Sequence, residues 1–446
     1  MWPVLQLRSM TSLIKRNTKV LFCRQHERLP ALDGIRAIAI IVVVGVHLVF
    51  MQGSLSEVSV STYDTDSYIE EIFSSRVGRI FARGEFGVDL FFVLSGFLIG
   101  SILLKELYET ETLNLKRFYL RRFIRLLPVY FFVLLAGLAV YAIFLPTQIE
   151  GLTVWTFMAN VFYVNNFVSI ADAYMIWCWS LAIEEQFYTF CPLLLLLIFC
   201  CAKSTRTKII WFVSIISLMV VVRAITIFYY DLSIPFPDLD VSNPDTLLPW
   251  DTVYTMPHTR MNQLIIGVFC ALIHMRFGDQ IKRICHKWWF QSMELFALLI
   301  IGWLATDWIY SNCKTYIFDL PEWAKLTYYI GYHDLFSIAT AIVILGVLSG
   351  GGIVNRAVGG FLSMKFWYPI AQLSYSWYLV HMLVMQVTFP YTSTWFYDQF
   401  GLKTGFWLNG ISVSLIGLFI SYLLFVFIEK PSMDVRKTEW VKRLHG

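Results

Sequence analysis

The strongest constraint on this chain is the recurrence of apolar runs about 20 residues long, the length that crosses a bilayer as a helix. Ten such runs lie near residues 31–51, 86–104, 126–145, 179–202, 207–229, 259–277, 289–310, 327–349, 367–388 and 405–428. The fold class that follows is all-α, a polytopic membrane protein with about ten transmembrane helices. Composition agrees: 57% of the residues are hydrophobic and only 15% charged, which excludes a soluble multidomain chain of 446 residues. The net charge of +4 is small and the basic residues fall in short loops, so no nucleic-acid partner is expected. The eight cysteines are scattered without metal-finger spacing. Cys178 and Cys313 fall in segments expected outside the membrane, where a disulfide has no further support.

The loops orient the runs. Lys15, Arg16 and Lys19 precede the first run, and Lys105, Lys116, Arg117 and Arg121 follow the second. Lys203, Arg206 and Lys208, then Lys282, Arg283 and Lys287, then Arg356 and Lys365 fall on the same side. The alternate loops carry Glu57, Asp64 and Glu70, and later Asp231, Asp245 and Asp251. The positive-inside rule then puts both termini in the cytoplasm, which an even number of spans allows. Three parts follow: a basic cytoplasmic tail over 1–29, lacking the apolar core of a signal peptide; a membrane domain over 30–430; and a cytoplasmic tail over 431–446. Residues 150–170 are apolar enough for a half-span, but a full span would break the charge alternation, so they are expected as a luminal or re-entrant piece.

Orientation converts position into depth at 1.5 Å per residue. Arg36 and His47 are eleven residues apart, which at about 100° per residue puts them on one helical stripe, roughly 16 Å apart. A polar stripe on a spanning helix must face protein, water or a ligand. Arg36 is expected near the inner face and His47 in the outer half. Asp89, Glu184 and His381 are expected at about the depth of His47, on three further helices, with Arg260 at the outer face. Glu184 and Glu185 point about 100° apart, so one is expected to pair with an Arg or His and the other to meet water. Arg122 and Arg125, one turn apart in an interfacial helix leading to a span that starts at Pro128, are placed to hold phosphates of a cytosolic ligand. The plainer alternative is a basic anchor on lipid headgroups. Gly96 and Gly100 form a small-xxx-small pair that suits close helix packing.

Seven stretches carry a resemblance. LDGIRAIAIIVVVGVH, FGVDLFFVLSGFLI, FYLRRFIRLLPVY, WSLAIEEQFY, RMNQLIIG, LSYSWYLVH and EKP follow one another almost end to end. In this order they resemble the integral-membrane acyltransferase family three, bacterial enzymes that O-acylate surface glycans. The resemblance implies a membrane O-acyltransferase of the bacterial inner (plasma) membrane. It would move acetyl, or another acyl group, from cytosolic acyl-CoA to a hydroxyl of an envelope polysaccharide or lipid-linked glycan. His47 would be the catalytic base, assisted by Glu184 or Asp89. Arg36, Arg122 and Arg125 would bind the donor, and Arg260, His381, Glu185 and Tyr375 would be the candidates for substrate contact. Acetyl-CoA would be a donor substrate rather than a bound cofactor, and no metal is expected. On this resemblance the chain would lack the extracytoplasmic esterase-like domain that some members carry; if transfer needs a second, soluble enzyme, a separate extracytoplasmic transferase would join acyl-CoA, the glycan and membrane lipids as a partner.

Two chemical routes stay open. The acceptor attacks the thioester directly with general-base help, or a residue such as Ser374 or Tyr375 first takes the acyl group. The competing function is a proton-coupled transporter, which would show related halves, interrupted helices and a midplane site.

Overall fold

The computed structural model describes residues 10–24, 29–56, 75–146, 150–234, 244–306 and 320–435. Glu57, Asp64, Glu70 and Cys313, used above for orientation and pairing, lie outside these residues. Among the described residues the regular structure is helical: α1 Met10–Phe22, α2 Pro30–Ser56, α3 Arg76–Ala82, α4 Glu85–Thr110, α5 Leu115–Phe144, α6 Val154–Val161, α7 Trp179–Cys201, α8 Thr205–Tyr229, α9 Asn262–Ile284, α10 Trp288–Thr306, α11 Glu322–Ser349, α12 Ile353–Leu362 and α13 Trp367–Leu424. Among the described residues nine helical stretches are long and apolar enough to cross a membrane. This is a multi-pass membrane protein.

The expected tenth pass is hidden in α13. As one straight helix its 58 residues would span about 87 Å, far beyond the ~30 Å hydrocarbon core. Gly401 breaks it, with φ 73° and ψ 169°, a conformation open to glycine and strained for other residues. The Thr392 hydroxyl donates to Asn409 Oδ1 at 2.6 Å, although 17 residues of helix would hold them about 25 Å apart. The chain therefore folds back at Gly401 and crosses twice.

α5 corrects a second expectation. There is no separate interfacial helix: Leu115–Phe144 runs unbroken through Pro128. Asn114 starts it by accepting the Arg117 backbone N–H at 2.9 Å, which puts Arg122 and Arg125 on its second and third turns. A proline interior to a spanning helix survives where neighbours stabilise the local backbone. Here the Tyr375 hydroxyl donates to the Leu126 carbonyl at 2.9 Å, two residues before the proline. Residues 150–170 supply the eight-residue α6, about 12 Å long and too short to cross, and a single 3-10 turn at Asn165–Phe167.

Both described ends of the chain meet on one side. In α1 the buried Asn17 donates to the Val426 carbonyl at 2.8 Å, and Arg16 pairs with Asp434 at 3.2 Å. The segment expected as an N-terminal tail is thus partly a docked helix. This side also carries the basic loops and is called the basic end below.

At the centre α4 packs on α9, and α2 sits between α4 and α13, around one large buried apolar cluster. The close approach of α4 and α9 depends on missing side chains. A methyl added at Gly96 would lie 2.0 Å from the Leu264 carbonyl oxygen, and one at Gly267 would lie 2.3 Å from that of Val93. Gly302 on the exposed face of α10 has no atom within 4 Å of such a methyl. Gly96→Val should therefore lower the thermal midpoint in detergent by several degrees or prevent folding. Gly302→Ala should leave it unchanged or raise it slightly, since Ala exceeds Gly in helices by about 1 kcal/mol. A tolerated Gly96→Val would show that the two helices are not locked at this contact.

Candidate active site

A cavity of about 250 Å³ opens among α2, α4, α5, α7 and α13. Arg36, Arg122 and Arg125 line it together with Glu184, Glu185 and Tyr375. Six of the ten residues singled out by depth, spacing or resemblance thus share one space. The arginines come from two helices that start at the basic end: Arg36 stands about 9 Å along α2, and Arg122 and Arg125 about 10 and 15 Å along α5.

Each guanidinium has an anionic or aromatic counterpart. Arg122 lies over the Tyr188 ring, 4.0 Å from its centroid. The Tyr188 hydroxyl donates to Glu184 Oε2 and the Ser95 hydroxyl to Glu184 Oε1, both at 2.9 Å. The charges of Arg122 and Arg36 act on Glu184, and those of Arg125 and Arg36 on Glu429. Glu429 in turn accepts from the Ser376 hydroxyl at 2.7 Å. The charge of Arg36 is therefore within electrostatic reach of both carboxyl groups. In hydrocarbon such matching is what makes a buried charge tolerable.

Both adjacent glutamates line the cavity, where one had been expected to pair with an Arg or His and the other to meet water. Their 100° divergence spreads them around one opening. Glu184 turns to Ser95 and Tyr188, whereas Glu185 faces the side of Tyr163, Tyr375 and Arg122.

The second group is a pair of histidines. His47 Nδ1 lies 2.8 Å from the Val43 carbonyl and 3.2 Å from His381 Nε2. The rings meet edge to face at 4.8 Å. The equal depth expected for these two residues is thus a direct contact. The partner expected for His47 was a carboxylate, and this is corrected. Glu184 is engaged by Ser95 and Tyr188, Asp89 by other groups, and His47 bonds a backbone carbonyl and a second imidazole. Tyr378 connects the pair to the cavity. It lines the cavity and lies 5.5 Å from the His381 ring. Its hydroxyl meets Ser180 Oγ at 2.7 Å and donates to the Trp177 carbonyl.

Asp89 and Arg260 lie elsewhere. Asp89 is fully buried, accepts from Arg260 Nη2 at 2.9 Å, and meets His333 Nδ1 at 2.6 Å. Arg260 also lies over the Trp179 and Tyr254 rings. Beside them Arg223 pairs with Asp334 at 2.5 Å, and Asn262 donates to Asp334 at 2.8 Å. This layer binds α4, α8, α9 and α11 together near the end opposite the basic one. A carboxylate already held by a guanidinium and an imidazole is not available to orient His47. Asp89 and Arg260, expected in the chemistry and in substrate contact, thus face each other and His333 and do not line the arginine cavity.

Several members of both groups escaped the sequence reading. Ser95, Ser180, Tyr188 and Tyr378 are polar residues on apolar helices with no distinguishing spacing. His333 and Asp334 were findable, because adjacent ionisable residues inside an apolar run carry the same signal as Glu184 and Glu185. Among the described residues no three His, Cys, Asp or Glu side chains are placed to hold a metal.

Comparison with known proteins adds an independent line. A family model described as an acyltransferase domain matches residues 29–426. The O-acetyltransferase OatA of Staphylococcus aureus is 27% identical over 415 residues, covering 90% of this chain and 57% of its own length. The peptidoglycan O-acetyltransferase OatA of Listeria monocytogenes is 25% identical over 363 residues, covering 74% and 52% respectively. The chain spans about half the length of these curated relatives. No solved structure matches it.

Removing Asp89 would leave Arg260 buried without its counter-ion, a change that costs about 3–5 kcal/mol. Asp89→Ala should therefore melt well below wild type in detergent, while protein kept cold retains ligand binding in the arginine cavity. A variant as stable as wild type but inactive would return Asp89 to the chemistry.

Proposed function

Because the chain belongs to the acyltransferase family whose domain spans residues 29–426, we propose that it moves an acyl group from acyl-CoA to a hydroxyl of an envelope glycan. Acetyl is the group named for its relatives, and peptidoglycan is the acceptor named for one of them. The observation that carries this reading is the arginine-lined cavity, whose Tyr378 wall adjoins the histidine pair.

On this reading the basic end faces the cytoplasm, in keeping with the positive-inside rule. The donor enters there, and its phosphates take charge-assisted hydrogen bonds from Arg36, Arg122 and Arg125. The charges of these arginines act on Glu184 and Glu429, and a bound phosphate adds a second anion to the same field. The acyl-bearing arm extends along the cavity toward Tyr378. A glycan or lipid-linked glycan approaches from the opposite face, where half-buried His47 can be reached. His47 takes the proton from the acceptor hydroxyl as its oxygen attacks the thioester carbonyl. The carbon–sulfur bond then breaks, and the leaving CoA sulfur recovers the proton. Direct transfer of this kind needs no acyl-enzyme. Tyr375 is tied to the Leu126 carbonyl and Ser374 to the Ala371 carbonyl, which suits packing and alignment better than attack.

The test is acetyl release from radiolabelled acetyl-CoA by purified protein in detergent, with a soluble glycan oligosaccharide present as the acceptor. Wild type should turn over. His47→Ala should lose about 10²–10⁴-fold in rate, the usual worth of a general base, while still binding the donor. Arg125→Ala should raise the donor KM with a smaller effect on kcat. Wild-type turnover by His47→Ala would remove His47 from the chemistry. A wild-type protein that neither binds nor cleaves the donor would favour the transporter.

A further inference from the structure

We propose that His381 is a positioning residue that, together with the Val43 carbonyl, holds His47 in its Nδ1–H tautomer through a direct imidazole–imidazole hydrogen bond, so that His47 presents an unprotonated Nε2 to the acceptor. Its catalytic consequence rests on the transferase reading above; the tautomer itself does not.

The assignment follows from two backbone carbonyls. His381 Nδ1 lies 2.6 Å from the Tyr378 carbonyl, and His47 Nδ1 lies 2.8 Å from the Val43 carbonyl. A carbonyl oxygen only accepts, so each Nδ1 must carry a proton. In a neutral imidazole the other nitrogen is then a lone-pair acceptor. The Nε2 of His381 points at His47 Nδ1 from 3.2 Å, so the His47 N–H is shared between the Val43 carbonyl and His381 Nε2. With both rings neutral, no other placement of protons satisfies all three contacts. His47 Nε2, on the far edge of the ring, keeps its lone pair.

Burial separates the roles. His381 is 1% exposed, which removes it from the acceptor contact expected of it, whereas His47 is half-buried. The peptide around His381 is held firmly. Trp177 Nε1 donates to the Leu379 carbonyl at 3.2 Å, and the Tyr378 hydroxyl donates back to the Trp177 carbonyl. The Trp177 ring also lies 6.4 Å from that of His381. When His47 takes a proton at Nε2, its Nδ1–H keeps both acceptors, and the positive charge is spread without any side chain moving. A neutral imidazole here does what a carboxylate does for many catalytic histidines, setting the tautomer and orientation of the ring. It adds no fixed negative charge to a region surrounded by lipid.

The experiment combines ¹⁵N-histidine NMR of the detergent-solubilised protein with steady-state kinetics. The His47 resonances are identified by their loss in His47→Gln. In wild type, His47 Nδ1 should report as protonated and Nε2 as unprotonated. His381→Leu, which keeps bulk but removes one of the two acceptors, leaves the Nδ1–H on the Val43 carbonyl alone and should raise the share of the Nε2-protonated form measurably above wild type. Its kcat should fall about 10–100-fold, as when an orienting partner is lost, with the donor KM unchanged. His381→Gln, whose amide oxygen can accept the same N–H, should recover most of both. A wild-type His47 protonated on Nε2 overturns the proposal whatever the activity. So does a His381→Leu protein that keeps wild-type tautomer and kcat. If the tautomer is as stated but acetyl-CoA is never cleaved, the ring pairing stands and the transferase reading falls.

Discussion

Lipid offers no hydrogen bonds, so each charged group inside this bundle has to find its complement within the protein. That constraint sorts the buried ionisable residues into two kinds. In the layer of Asp89, Arg260, His333, Arg223 and Asp334, charges pair with one another and lie against aromatic faces. In the layer of Arg36, Arg122, Arg125, Glu184 and Glu185, the same matching occurs around an open space. The first arrangement holds helices together. The second holds charge ready for something that enters. Proximity in sequence or in depth does not separate these cases; the cavity does.

The histidine pair stands apart from both layers. His47 has a backbone carbonyl and a neutral ring beside it, and no carboxylate. Its local surroundings therefore fix a proton position without fixing a charge. Tyr378 joins this centre to the charged cavity, since its ring borders His381 while its hydroxyl meets Ser180 on the cavity wall. Guanidinium groups thus stand at one level of the bundle and the histidine pair at the next. Roughly 16 Å of α2 separates Arg36 from His47.

Much of this was readable from sequence because hydropathy reports which residues lie in lipid and the helical rise reports their depth. The stripe from Arg36 to His47, the pair Arg122 and Arg125, and the shared depth of His47 and His381 all come from those two rules. Neighbours across helices are another matter, because depth does not say which faces meet. Asp89 and His47 were expected at one level, yet Asp89 turns to Arg260 and His333 while His47 turns to His381. Glu184 and Glu185 diverge on the helix but border one cavity, since a cavity wall subtends a wide angle. Pro128 and Gly401 show the same limit for the backbone. The proline that looked like a start lies inside a helix supported nearby by Tyr375, and the break falls at a glycine within a stretch helical on both sides.

The central claim is directional: the donor binds at the basic end and the acyl group leaves toward the other face. It is tested most directly in proteoliposomes with the protein inserted in one known orientation. Membrane-impermeant acetyl-CoA is supplied to the basic end, and a soluble glycan oligosaccharide is present in both compartments. The account predicts acetylated oligosaccharide only in the compartment opposite the donor. Product confined to the donor's own compartment would contradict it.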